Sequence, residues 1–238
     1  MTVLLAPVYF FLLLFFYPWR LGIGPRLIRF YSGICLLIFR VKIEKKTHCK
    51  RFKEGKKGLL IISNHASFLD IFVLSALFEC VFVSKSEVRH YPIIGRIAAL
   101  SGVVFFERSV SGERLRVLRQ IAFKCSGRTL AVFPQGTTGR IREQLPFKRG
   151  IFKITELNPE ITLLPVTLYY KEDSEIAWSR QSLKENAVRV CRQKSIHVKV
   201  NAHHPVTIDT YEGKKTAEIC KLVEASVLAP LQRDYGDL

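Results

Sequence analysis

The stretch "GLLIISNHASFLDIFVLSALFE", Gly58 to Glu79, decides how this chain is read. Its opening "GLLIIS" is an apolar run with the length of a buried strand, and "FLDIFVLSALFE" has helical spacing with few β-breakers. Between them "SNHASFLD", Ser63 to Asp70, sets a histidine and an aspartate five positions apart, hemmed in by Ile61, Ile62, Phe68, Leu69 and Ile71. Ser67 is placed to cap the following helix, with Asp70 closing a capping box three residues on. His65 then lies in the tight turn before the helix, where the imidazole folds back toward the carboxylate. A general base needs that arrangement: the acid fixes the ring tautomer and stabilises the imidazolium, while the other nitrogen faces a substrate hydroxyl. On its own a His-x4-Asp after a strand is a weak signal.

Working outward, strands and helices alternate. "VFVSK" reads as a strand, "IIGRIAALSG" as a short helix ended by Gly102, and "VVFFER" as a third strand. Gly112 to Cys125 spaces its apolar residues for a helix with a basic face. "TLAVFP" and "ITLLPVTLYY" are a fourth and a fifth strand, "SIHVKVNAHHPVTI" is extended, and Thr216 to Leu231 is a closing helix. This order predicts an α/β fold, a mixed sheet covered by helices on both sides, over residues 46–238.

Residues 1–45 read as a separate hydrophobic anchor. Val3 to Trp19, "VLLAPVYFFLLLFFYPW", is uncharged, and a spanning helix needs about 20 such residues. After Arg20, Arg26 and Arg29 a second apolar run follows, "FYSGICLLIF" from Phe30 to Phe39, ending in "RVKIEKK". A pair of core helices in a soluble protein is the plain alternative, and the first run's lack of a polar face argues against it; as an anchor, one span and two helices dipping into a single leaflet both fit. Either way the basic residues would lie against anionic headgroups, which puts the active site on the cytoplasmic side, at the inner membrane in a bacterium. No charge precedes the first run except the amino terminus, which argues against a signal peptide.

With 37 Lys and Arg against 20 Asp and Glu, the formal charge is +17. Such a balance favours a densely anionic partner, nucleic acid or a membrane surface. The basic residues are interleaved with apolar runs, and no nucleic-acid-binding signature is present, so no nucleic acid is expected. The six cysteines, at 35, 50, 80, 125, 191 and 220, form no CxxC and suit reduced core thiols better than a disulfide framework. His197, His203 and His204 make no clean ligand quartet, so no metal is expected.

Four ordered segments carry a family resemblance. Asn64, His65 and Asp70 match an Asn-His-x4-Asp block. "GVVFFERS" ends in Arg108 after an apolar strand. "VFPQGTTGR" supplies Phe133, Pro134, Gly136 and Thr137, and "LLPVTLYY" brings Pro165. In order and spacing these resemble the four blocks of the glycerolipid acyltransferase family, the lysophosphatidic-acid acyltransferase type, over about Leu59 to Tyr170. The segment around Lys85 is similar to the family's stretch between its first two blocks.

The resemblance implies transfer of an acyl group from a thioester, acyl-CoA or acyl-carrier protein, to a lysolipid hydroxyl at a membrane, with no cofactor. It makes 1-acyl-sn-glycerol-3-phosphate, giving phosphatidic acid, the first acceptor. A lysophospholipid with a head group and a lyso-ornithine lipid are the alternatives. His65 would be the base and Asp70 its orienting acid. Asn64, Lys85, Arg108, Phe133, Gln135, Gly136 and Thr137 would bind substrate, with Lys85 and Arg108 on the acceptor phosphate and amides near Gly136 and Thr137 on the oxyanion. The family usually has glutamate where this chain has Gln135, and often arginine where it has Thr138. Arg140, Lys148 and Arg149 are the cations left to substitute, and the departures shift the acceptor reading toward larger lysolipids. A rival reading is a non-catalytic, basic membrane-binding protein on the same fold.

Overall fold

The computed structural model describes residues 20–47, 58–90, 95, 98–99, 102–106, 113–143, 145–179 and 182–236. Among these the strands are β1 (Val41–Thr47), β2 (Leu59–Ser63), β3 (Val81–Lys85), β4 (Val104–Phe106), β5 (Leu130–Val132), β6 (Thr162–Tyr170) and β7 (Ile196–Ala202). They form one sheet in the order β1-β7-β6-β2-β5-β3-β4. From β6 to β4 every pairing is parallel, β7 runs antiparallel to β6, and β1 runs parallel to β7. The sheet is mixed, as the alternating pattern predicts.

Burial follows from that topology. β2 and β6 are covered on both faces, and every residue in each is buried, which explains why apolar residues dominate both. Full burial of each of Leu60, Ile61 and Ile62, all at 0% exposure, contributes roughly 1.5–3 kcal/mol. β7 is covered on one face, so Ile196, Val198, Val200 and Ala202 are buried while His197, Lys199 and Asn201 are half-buried. Pro165 lies in β6 just where the ladder to β7 gives out, and its carbonyl accepts from the His203 N–H at 3.0 Å.

The longer helices are α1 (Arg20–Ile38), α2 (Leu69–Phe78), α3 (Glu113–Gly127), α4 (Leu183–Cys191) and α5 (Thr216–Gly236). The chain crosses from β2 through α2 to β3, and back from β4 through α3 to β5. Right-handed crossovers in opposite directions put α2 and α3 on opposite faces. α3 and α5 both pack on the segment 149–157, and α5 also backs β6, where Thr167 Oγ1 donates to the Val227 carbonyl at 2.7 Å.

α1 lies on α2, with Tyr31 edge-on to Phe72 at 6.4 Å and Arg29 3.2 Å from Glu79; Phe39, just beyond α1, is edge-on to Phe68 at 5.5 Å. Cys35, Leu36 and Phe39 are buried in the core, while Phe30 and Leu37 point outward, 68% and 78% exposed. The second apolar run thus carries a helix that packs on the α/β fold. "RVKIEKK", expected to face headgroups, mostly forms the edge strand β1, so the boundary placed at residue 45 falls inside a strand. No helix among the described residues is long and apolar enough to cross a membrane. Val3 to Trp19, the other half of the expected anchor, lies outside them.

Gly102 has φ +83 and its N–H donates to the Ala99 carbonyl, the turn expected at the end of "IIGRIAALSG". The capping box expected at Ser67 forms only in part. Asp70 accepts from the Ser67 N–H, but the helix begins at Leu69 with Phe68 as its N-cap and no side-chain cap. The complete box stands at Ser182 and Glu185, ahead of α4.

Candidate active site

In the parallel part of the sheet, the C-terminal ends of β2, β5, β3 and β6 share one edge, where open α/β sheets place ligands. β2 delivers "SNHASFLD" there. The Asp70 carboxylate, 0% exposed, is fed by four donors: His65 Nδ1 at 2.8 Å, the Ala66 N–H at 2.8 Å and the Ser67 N–H at 2.9 Å on Oδ2, and the Tyr170 hydroxyl at 2.7 Å on Oδ1. An ionised carboxylate only accepts, so Nδ1 donates to it, and in the neutral ring Nε2 keeps its lone pair. Nε2 has no protein partner among the described residues, and the side chain is 16% exposed.

The loop after β5 braces the same histidine. The His65 N–H donates to Gln135 Oε1 at 2.6 Å, and the His65 carbonyl accepts from the Gly139 N–H at 3.1 Å. Gln135 Nε2 in turn donates to the Leu145 carbonyl at 3.0 Å. The imidazole lies flat on the Phe133 ring, 3.9 Å between centroids and 7° between planes, and Phe82 of β3 backs Phe133 at 5.9 Å. Asp173, after β6, accepts the Ile141 N–H and so ties down the far end of the loop. Burial pushes its carboxyl above the usual carboxylate range, opposed by the Ile141 N–H and the charges of Arg140 and Arg142. A shallow recess of about 230 Å³, solvent at its mouth included, opens beside His65, Gln135, Gly139, Arg140 and Leu228. The space that a water-sized sphere can enter is only about 10 Å³, so the recess holds about one water and no lipid chain.

An oriented imidazole with an open nitrogen, held on main chain and aromatic stacking, is equipped to take a proton. Residues 40–169 match the Acyltransferase family. The chain belongs to the acyltransferase family. It is 31% identical over 231 residues to a lyso-ornithine lipid O-acyltransferase of Brucella abortus, covering 89% of this chain and 84% of that one. It is 24% identical to a 1-acyl-sn-glycerol-3-phosphate acyltransferase of Neisseria gonorrhoeae, over 76% of this chain and 72% of the other. The fold matches the crystal structure of PlsC, the 1-acyl-sn-glycerophosphate acyltransferase of Thermotoga maritima. That match has a TM-score of 0.68 at 20% identity and covers 97% of this chain and 95% of that one.

Of the residues singled out from sequence, this acyltransferase brings His65, Asp70, Phe133 and Gln135 into contact. Asn64 borders the recess, but its carboxamide is committed elsewhere. It is 3% exposed, and its carboxamide bridges the Leu168 N–H (2.8 Å) and carbonyl (2.9 Å), so it fixes β2 to β6. Gly136, at φ +73, closes a turn by donating its N–H to the Phe133 carbonyl, and Thr137 next to it is exposed. Lys85 ends β3, two strands from β2 and so roughly 10 Å across the sheet. Arg108 lies outside the described residues. His197 is paired with Glu172 and His203 with the Thr167 hydroxyl. Sequence reading missed Tyr170 and Phe82; the usable signal was a tyrosine ending a long, mostly apolar strand, whose hydroxyl must find a partner when buried.

Proposed function

We propose that the protein transfers an acyl group from an acyl thioester, acyl-CoA or acyl-carrier protein, to the hydroxyl of a lysolipid at a membrane surface. The observation that carries this reading is the 2.8 Å contact of His65 Nδ1 with the buried Asp70 carboxylate, which leaves Nε2 open. His65 Nε2 takes the hydroxyl proton as the oxygen attacks the thioester carbonyl. The tetrahedral oxyanion rests on N–H donors, for which the Thr137 amide is the candidate. Collapse breaks the C–S bond, and the imidazolium returns its proton to the departing thiolate. Thiolate is a good leaving group, so no acyl-enzyme is needed. The charge of +17 draws the protein to anionic lipid and to acidic donors alike.

The first acceptor is 1-acyl-sn-glycerol-3-phosphate, supported by the Neisseria relative, with Lys85 and Arg108 on its phosphate. The second reading is a lyso-ornithine lipid. It is favoured by the Brucella relative, matched over 89% of this chain, and by the lack of a cation at Thr138. The test uses the full chain purified in detergent, labelled acyl-CoA or acyl-carrier protein, and a panel of both acceptors and lysophosphatidylcholine. Acylation of a lysolipid supports the proposal, and competition between acceptors ranks them. A folded protein that acylates none of them refutes the activity and leaves the non-catalytic rival.

A further inference from the structure

Three of the four hydrogen bonds to Asp70 come from its own segment, residues 65 to 67, and all three meet on Oδ2. The other oxygen is held from elsewhere. Oδ1 accepts from the hydroxyl of Tyr170, the last residue of β6, 100 positions away and 0% exposed. We infer that Tyr170 is a positioning residue for acyl transfer: its hydroxyl pins the second oxygen of Asp70, so the carboxylate cannot turn and its charge is shared between phenol and imidazole. This rests on the reading of His65 as general base.

The hydroxyl is not needed to fill space, since a phenylalanine ring occupies nearly the same volume. What the oxygen adds is a strong bond, because O–H donation to a carboxylate is roughly twice as strong as a neutral hydrogen bond. The donor also stays protonated. Burial first, then the charge and hydrogen bond of Asp70, hold the Tyr170 phenol well above the usual tyrosine range. Of the groups bonded to Asp70, only His65 and Tyr170 titrate. Phe133 and Gln135, packed on His65 from the β5 loop, carry no charge.

Two effects of Tyr170 on the dyad follow. The Asp70 carboxylate is held at both oxygens, so the plane of His65 is set from β6 as well as from its own turn. The phenol also draws charge from the carboxylate and weakens its hold on a proton. In Tyr170→Phe the pair should bind its shared proton more tightly. The acid limb of kcat/KM then moves to higher pH, and kcat falls about tenfold, the size expected for a lost bond to a charged group.

The experiment compares wild type and Tyr170→Phe by pH–rate profile with the best lysolipid acceptor. In parallel, the His65 titration is followed by NMR of histidine-labelled protein, assigned against His65→Ala. An upward shift in both, with reduced kcat and little change in acceptor KM, supports the role. Reduced thermal stability with unchanged kcat and unchanged titration makes Tyr170 a core residue only and overturns it. Should Tyr170→Phe not fold, 3-fluorotyrosine at position 170 keeps the shape and strengthens the donor. The His65 titration then moves to lower pH, and no movement overturns the inference. A wild type inactive on every lysolipid sinks the proposed function, whereas an active wild type with an unaltered Tyr170→Phe sinks only this step.

Discussion

Gln135→Glu is the substitution whose outcome the structure constrains most tightly. Both partners of the Gln135 carboxamide are main-chain groups of fixed polarity. The His65 N–H only donates and the Leu145 carbonyl only accepts, so one end of the side chain must be an oxygen and the other an N–H. A carboxylate keeps the first bond and strengthens it, but it loses the second and sets an anion against a carbonyl at about the same distance. At 7% exposure little water relieves that clash. A stronger bond to the His65 N–H returns about 1 kcal/mol, while the unpaired carbonyl and the desolvated charge cost more, so the net loss is about 2 kcal/mol. For a chain of this size that is a fall in Tm of roughly 4–8 °C.

The loss depends on pH. A protonated acid can donate to Leu145, so folding raises the pKa of the introduced carboxyl above its unfolded value. Its stabilising contribution is therefore complete below the unfolded pKa, about 4.3, and disappears as pH rises through the folded value. Thermal unfolding of wild type and variant across pH 4–8 measures this, with acyl-transfer rates beside it. The expected result is near-equal Tm at the acid end and a gap that widens toward neutrality. A gap independent of pH, or no gap, would refute the placement of Gln135 between two main-chain groups.

Phe133→Leu removes the flat face under the imidazole. An aromatic contact of this kind is worth about 0.5–1.5 kcal/mol, so kcat should drop from a few-fold to about tenfold with acceptor KM little changed; a KM effect alone would put Phe133 on the substrate. Asn64→Asp can no longer donate to the Leu168 carbonyl and should destabilise the protein by about 1–3 kcal/mol in chemical denaturation, whether or not substrate is present. Asp173→Asn keeps an acceptor for the Ile141 N–H and removes a carboxyl whose pKa burial has raised. Stability tied to protonated Asp173 is lost as pH rises through that raised value. The variant should therefore gain Tm over wild type from about pH 4 upward, and a constant offset across pH would contradict this. Among the described cysteines only Cys191 is exposed, and burial pushes the thiols of Cys125 and Cys220 up to about 12 and about 11. Alkylation of the native protein should mark Cys191 well before Cys35, Cys80, Cys125 and Cys220 by mass spectrometry, and equal labelling would count against the core.

The central strands were legible because burial on both faces leaves runs dominated by apolar residues with no polar alternation: "LLIIS" and "TLLPVTLYY" are β2 and β6 nearly to the residue. β1 was hidden by the opposite physics. An edge strand is kept from pairing with other chains by charge, and Lys42, Glu44, Lys45 and Lys46 read as the basic end of the anchor rather than as a strand. α1 buries Cys35 and Leu36 and exposes Phe30 and Leu37, so its apolar run reads alike for packing on protein and packing on lipid. In the site, His65 and Asp70 were legible because the turn between them is local. Gln135 was visible as a departure but not as a brace, since its partners are a main-chain N–H 70 positions away and a carbonyl 10 positions away. Tyr170 meets Asp70 only through the pairing of β2 with β6, which no local pattern encodes.

The central claim is that His65 accepts the proton of the incoming hydroxyl. The most direct check is the turnover rate of purified His65→Ala with saturating lysolipid and acyl thioester, on protein whose unfolding curve matches wild type. General-base catalysis predicts a kcat lower by about 100-fold to 10,000-fold. A folded His65→Ala enzyme that turns over at the wild-type rate would contradict it.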